Sequence, residues 1–233
     1  TLRDLFQSAC EDFSNSLQSL REDYLLQERL WIAQLPQIFL RPSNEQGGKF
    51  IQALTDELKQ VSETLVRSGV IQETHWNSIG EEHTIEQLEE SRKGILCELI
   101  ASRIEFLRRF TRDSDSFGQL VNLVNASLWD KKIEILDSGS LGFAGEKGVL
   151  NELSSGEMHL IMIYMEALFT NESTRILAID EPELSLHPEW IDDLTWNLRD
   201  IARNRNLQVI LATHSPSVVG EYSGQLATVE AVV

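Results

Sequence analysis

Apolar residues at Leu2, Leu5, Phe6, Ala9, Phe13, Leu17, Leu20 and Tyr24 recur every three or four positions, which predicts an amphipathic helix from Leu2 to about Trp31. A second run with the same period, Phe50, Ile51, Leu54, Leu58, Val61 and Leu65, predicts another helix. A third extends from Ile85 through Leu88, Ile95, Leu99, Ile104 and Leu107 to Phe110. Between the first two, Leu40 to Gly48 contains Pro42, Gly47 and Gly48 and reads as a loop. The charged outer faces of these helices, and the lack of strand-like alternation, fit an arm or lobe and not a catalytic centre.

After Trp129 the pattern changes. Lys131 to Leu136 alternates polar and apolar residues, and Gly139, Gly142, Gly145 and Gly148 follow, so this stretch reads as strand and loop. Two short aliphatic runs come next, Arg175 to Ile179 and Leu207 to Thr213. Between them lies a helical pattern opened by Pro188, with Trp190, Ile191, Leu194, Leu198 and Ile201 as its apolar positions. Strand, helix, strand in that order predicts buried parallel strands of an α/β sheet. The expected division is a helical lobe over 1–128 and an α/β subdomain over 129–233, with no internal repeat.

A chain of 233 residues can bury a core without a disulfide framework. Cys10 and Cys97 lie far apart with no CxxC spacing, so a zinc cluster has no ligand set, and a reducing, cytoplasmic setting is expected. The longest apolar stretch, Leu160 to Phe169, is interrupted by Glu166 and is much shorter than the roughly 20 residues of a membrane helix. The chain opens at Thr1 and carries no basic segment followed by an apolar one, the form expected of a processed or partial product. Thirty-seven acidic residues against 20 basic give a net charge of −17, which repels a phosphate backbone and argues against broad coating of nucleic acid. Arg103, Arg108, Arg109 and Arg112 form either a local basic patch or a solvated helix face.

Three segments carry candidate chemistry. Leu153-Ser154-Ser155-Gly156-Glu157 precedes the apolar run Met158 to Phe169 and places small residues at a helix start, where free N–H groups bind anions. The same residues also read as a capping box, with Ser154 and Glu157 satisfying each other's backbone donors. Ile176-Leu177-Ala178-Ile179 ends in Asp180-Glu181-Pro182, which aims two carboxylates at the crevice beyond the carboxyl ends of the strands. Phosphoryl transfer suggests how these divide the work: Asp180 suits Mg²⁺, directly or through water, and Glu181 suits the orientation of an in-line water. Val209 to Thr213 reads as a further buried strand that delivers His214 at its carboxyl end, where the imidazole can reach a γ-phosphate.

Leu-Ser-Ser-Gly-Glu at 153–157, Ile-Leu-Ala-Ile-Asp-Glu-Pro at 176–182 and Ala-Thr-His-Ser at 212–215 together resemble the signature, Walker B and H-loop motifs of ABC-type ATPases. They resemble in particular the SMC, RecF and OLD-like branch, which includes AAA family ATPases of bacterial anti-phage systems. Pro182-Glu183-Leu184-Ser185-Leu186-His187-Pro188 resembles the Pro-Glu-x-x-Leu-His-Pro form of the OLD-related ATPases and stands where a transporter has its D-loop. The resemblance covers about 130–220. It departs from the family pattern at Ser155, where the commoner signature has glycine, and in lacking the D-loop aspartate. No Gly-x-x-x-x-Gly-Lys-Ser/Thr occurs: Gly47-Gly48-Lys49 runs into Phe50, and Gly145-Glu146-Lys147 into Gly148.

The resemblance implies the C-terminal part of a parallel-sheet P-loop NTPase head with ATP and Mg²⁺ as ligands and its P-loop supplied by a part absent from this chain. It also implies head-to-tail dimers in which Ser154, Ser155 and Gly156 touch the γ-phosphate held by another head. Glu181 and His214 are then the catalytic residues; Ser154, Ser155, Gly156, Glu157, Asp180 and His187 contact nucleotide, and Asp180 reaches the metal through water. His187 either caps the helix opened by Pro188 or lies across the dimer interface near the nucleotide. His159 reads as a partly exposed helix residue, and His75 and His83 have no partner spacing for a metal. The first functional reading is an ATP-driven switch or oligomeric sensor in anti-phage defence, controlling a separate nuclease or toxin. Its rivals are a DNA repair or chromosome-maintenance ATPase and a non-hydrolysing assembly scaffold.

Overall fold

The computed structural model describes residues 1–39, 50–72, 90–145, 150, 152–169, 176–220, 224 and 227. The expected loop at 40–48, the start of the third helical run, His75, His83 and the Glu146-Lys147-Gly148 stretch lie outside or mostly outside them. Contacts within the chain divide it into two units, Asp12–Gln119 with Ile135–Ser140, and Thr1–Glu11 with Leu120–Glu134 and Leu141–Val233. The α/β unit therefore counts in 1–11 and 120–128 beyond the residues expected from 129 onward, and gives up 135–140 to the helical unit.

In the helical unit each helix carries a row of buried side chains spaced seven residues apart, among others that are also buried. Along α1 (Leu2–Phe39) these are Leu17, Tyr24, Trp31 and Ile38; along α2 (Ile51–Arg67), Ile51, Leu58 and Leu65; along α3 (Glu90–Ser127), Arg103, Phe110 and Phe117. A seven-residue repeat is slightly shorter than two full helical turns, so helices that follow it wind gently around one another. Ring contacts fix their directions. Phe13 meets Phe117 edge-on at 5.1 Å, Tyr24 meets Phe110 at 5.3 Å, and Trp31 stacks on Phe106 at 5.9 Å, so α1 and α3 run antiparallel. Glu57 pairs with Arg108, and Ser68 lies against Gly118, so α2 runs parallel to α3.

The first and third helices are longer than the apolar periodicity indicates. α1 continues past Trp31 through Pro36 to Phe39. α3 continues past Phe110 through the polar run Thr111 to Ser116, because buried Ser114 turns its hydroxyl onto the Thr111 carbonyl at 3.0 Å and so satisfies itself within the helix. α2 ends on Gly69, whose φ of +72° is the left-handed conformation of a helix terminus. Arg21 binds the Gly69 carbonyl at 2.7 Å and the Asp137 carbonyl at 2.8 Å, holding that terminus to the turn at 135–140.

In the α/β unit, β1 (Ile133–Ile135) pairs with β2 (Leu141–Phe143). Asn125 clamps the start of β1, accepting from Ile133 N–H at 2.7 Å and donating to the Ile133 carbonyl at 2.8 Å. The central element is α4 (Ser155–Phe169), which buries Leu160, Ile161, Ile163, Tyr164, Met165, Ala167 and Leu168. Beside it α5 (Pro188–Arg205) buries Ile191, Leu194, Leu198 and Ile201, and Asn197 donates to the Tyr164 hydroxyl at 2.9 Å.

The two expected strands form as β3 (Ile176–Asp180) and β4 (Gln208–Ala212), parallel and in register from Ile176 opposite Gln208 to Asp180 opposite Ala212. They are not buried as expected. Ile176, Ala178 and Asp180 point to the same face as Gln208, Ile210 and Ala212, and all six are exposed, Ile176 by 55% and Ile210 by 47%. Parallel strands are normally covered on both faces. Among the described residues these two pair only with each other, and helices cover one face. The described residues are mostly helical with two small sheets. None of their helices is long and apolar enough to cross a membrane.

Candidate functional site

α4 begins with a reciprocal cap. Ser154 N–H donates to the Glu157 carboxylate at 2.6 Å, and Glu157 N–H donates to the Ser154 hydroxyl at 3.2 Å, which satisfies two of the free donors of the helix start. Lys131 completes the arrangement. Its ammonium lies 3.2 and 3.1 Å from the two Glu157 oxygens and 2.8 Å from the Glu152 carbonyl. Burial pushes the Glu157 carboxyl up, but the Ser154 and Lys131 hydrogen bonds outweigh it and hold the group below its ordinary value of 4.5.

The unfolded chain takes up this proton near pH 4.5 while the folded chain resists it. The pair therefore stabilises the fold above that pH, and the contribution is lost as pH falls through the lower folded value. Lys131→Met should lower the thermal midpoint near neutrality and flatten its fall on acidification from about pH 6 to about pH 3. Parallel acid limbs for the two proteins would refute this.

Gly156 meets the turn that follows β3. A Cβ at Gly156 would stand 2.3 Å from the Ser185 carbonyl oxygen, so the absent side chain lets the helix start and this turn touch. The turn bends sharply: Glu181 has φ +47° and Ser185 φ +65°, left-handed conformations that cost a non-glycine residue free energy and persist only where neighbours enforce them. Here Glu181 N–H extends the strand ladder to the Ala212 carbonyl at 2.7 Å, Leu184 N–H returns to the Glu181 carbonyl at 2.9 Å, and Leu186 N–H to the Glu183 carbonyl at 3.0 Å. His159 of α4, half-buried, hydrogen-bonds the Pro182 backbone; burial lowers its pKa from 6.5, against the pull of Glu166 and of that bond.

The bent turn brings Glu181 to His214. Its Oε1 lies 3.6 Å from His214 Nε2, with the imidazole side chain 95% exposed and the carboxylate side chain 40%. Asp180 is exposed at the carboxyl end of β3 and has no hydrogen bond or ion pair among the described residues. A solvent-facing carboxylate beside the Glu181–His214 pair fits a hard cation that takes its other oxygens from water and phosphate. No cluster of three or more His, Cys, Asp or Glu suited to a metal occurs among the described residues.

The structure thus brings together the start of α4, the turn after β3 and the end of β4. Ser154 and Ser155 are exposed, whereas Gly156 and Glu157 are buried within their own unit. His187 sits apart from the Glu181–His214 pair in its contacts: it caps α5, its Nδ1 accepting from Glu189 N–H at 3.4 Å, and its ring meets Trp129 edge-on at 5.2 Å. Lys131 and Thr213 were not singled out from the sequence. Lys131 is one residue of an alternating stretch, and Thr213 directly precedes a histidine; neither spacing indicates a partner. Of the four arginines, Arg108, Arg109 and Arg112 lie on an exposed helix face, the second of the two sequence readings, and only Arg103 departs from both. Arg103 is buried and bonded to Glu28 and Tyr24, while Arg108 and Arg109 pair with Glu57 and Glu105. A family model described as an AAA ATPase domain matches residues 28–219, well over half of the chain, and the chain belongs to that ATPase family.

Proposed function

We propose that the chain is the C-terminal part of an ABC-type head of the OLD and SMC-like branch, with β3 and β4 belonging to a larger parallel sheet. In this reading it binds and hydrolyses ATP as a switch or oligomeric sensor. The observation that carries the proposal is the Glu181–His214 pair, 3.6 Å apart at the carboxyl ends of two parallel strands. Glu181 orients the attacking water and takes up its proton; His214, exposed beside it, donates to a γ-phosphate oxygen. Asp180 is the residue that would hold Mg²⁺, and the ion would supply charge neutralisation on the phosphates.

The phosphate cradle is supplied by a part outside this chain, because the sequence has no P-loop. Ser154 and Ser155, the exposed residues at the start of α4, reach the γ-phosphate held by a second head; Gly156 and Glu157 shape the turn and cap behind them. The biological role we infer is cytoplasmic anti-phage defence, with a separate nuclease or toxin as effector. The charge of −17 and the ion pairing of Arg108 and Arg109 disfavour direct clamping of nucleic acid.

The test is steady-state ATP turnover by the complete protein, P-loop part included, over a range of protein concentrations. A site shared between two heads requires turnover per molecule to rise with concentration and then level off. Turnover per molecule that is constant down to low nanomolar protein would exclude the shared site, and its absence at every concentration would exclude the ATPase.

A further inference from the structure

Glu183 and Thr213 have no role in the chemistry above, yet each lies next to it in sequence. Glu183 is two residues past Glu181, and Thr213 immediately precedes His214. The Thr213 hydroxyl donates to Glu183 Oε1 at 2.5 Å and accepts from Ser215 N–H at 2.9 Å. One hydroxyl is therefore used in both directions and fixes the backbone on either side of His214. The imidazole itself projects into solvent, and its one charged neighbour among the described residues is Glu181.

The second Glu183 oxygen is buried and has no partner among the described residues. Burying half a carboxylate unpaired opposes folding. An apolar side chain would avoid that cost, so stability does not account for a glutamate here. Its geometric effect does. The bond from Thr213 ties the turn that bends Glu181 into its left-handed conformation to the backbone that presents His214. Glu181 N–H to Ala212 O holds the two strand ends together at one point, and Glu183 with Thr213 holds them at a second. Two points fix an orientation where one leaves a hinge.

We propose that Glu183 is a positioning residue which, through Thr213, sets His214 against Glu181; this deepens the ATPase reading and rests on it. The carbonyl oxygen of glutamine can accept the same Thr213 bond, whereas alanine cannot. Glu183→Gln should keep kcat within about threefold of the unaltered protein, while Glu183→Ala and Thr213→Val each lower it by about 10- to 100-fold with KM for ATP nearly unchanged. The Glu183→Ala/Thr213→Val double variant should be no slower than Thr213→Val alone, because Glu183→Ala removes only the Glu183–Thr213 bond, which Thr213→Val already removes together with the Ser215 bond.

A measurement independent of turnover uses the full chain labelled at its five histidines, with the ring signals followed by NMR. Glu181→Gln should shift the His214 ring signals in the unaltered background and shift them much less in the Glu183→Ala background. Equal shifts in both backgrounds would overturn the proposal whether or not the protein turns over ATP. Unchanged kcat in Glu183→Ala, alongside loss of activity in Glu181→Gln, would overturn it and leave the ATPase reading standing. A complete protein with no turnover would defeat the ATPase reading, and the ring signals would then decide the geometry alone.

Discussion

Replacing Glu181 by glutamine should lower ATP turnover of the complete protein by about 10²- to 10⁴-fold, the usual worth of a well-placed general base, if Glu181 has the role proposed for it. The amide matches the carboxylate in shape and can still accept a hydrogen bond, so the turn, the ladder bond to Ala212 and the neighbouring His214 need not move. It cannot take up a proton from water. Binding is expected to survive, so ATP should accumulate on the variant, and the proposed head-to-tail dimer should persist on gel filtration with ATP and Mg²⁺ where the unaltered protein returns to smaller species. The comparison is made at matched concentrations, since a shared site dilutes apart. If the variant hydrolyses ATP at the unaltered rate, Glu181 is not the base, and the parallel strand ends are a scaffold only.

The second large effect is on stability and lies in the helical unit. The Arg103 side chain is 3% exposed; its guanidinium donates to Glu28 at 2.6 Å and to the Tyr24 hydroxyl at 2.8 Å, with its carbon 4.8 Å from the Trp31 ring and 4.9 Å from that of Phe106. Tyr24 donates in turn to Glu28 at 2.8 Å, and burial, the largest influence on it, keeps that phenol protonated. Arg103→Ala removes the cation, the packing between two rings and the counterion of Glu28, and should cost about 3–5 kcal/mol. Glu28 is 26% exposed and can recover some hydration, which places the expected loss toward the lower end. Urea unfolding followed by far-ultraviolet circular dichroism measures it. Arg103→Met with Glu28→Gln should recover a substantial part, because a buried pair replaced as a whole costs much less than one that is broken. A loss under about 1 kcal/mol in Arg103→Ala would mean that the aromatic packing carries this region without the charge.

The elements with strong periodicity or end signals were legible in the sequence. The Pro188 helix begins where its proline places it, and β3 and β4 fall within a residue or two of their aliphatic runs. The capping reading of Ser154 and Glu157 appears as two hydrogen bonds, and the capping reading of His187 as one. What local reading missed depends on distant partners or on longer repeats. The sevenfold spacing of Leu17, Tyr24, Trp31 and Ile38 is visible in the sequence, but a window of three and four residues sees only a helix and not its winding partner. Arg103 looked like any surface arginine because nothing nearby in sequence announces Glu28, 75 residues earlier. The close approach of Gly156 to Ser185, 29 positions on, has no signal in the sequence, and only the folded turn reveals it.

The open face of β3 and β4 has a colloidal consequence. Ile176, Ala178, Ile210 and Ala212 present a flat aliphatic strip, and the strands beside it have backbone groups able to template the pairing of another chain. Two molecules approaching strip to strip each carry a net charge of −17, and that repulsion acts over a distance set by dissolved salt, about 30 Å at 10 mM and about 3 Å at 1 M. Clarity in dilute buffer and turbidity in concentrated salt would then belong to the same molecule, with the strip supplying the adhesion and the acidic surface the barrier that salt removes.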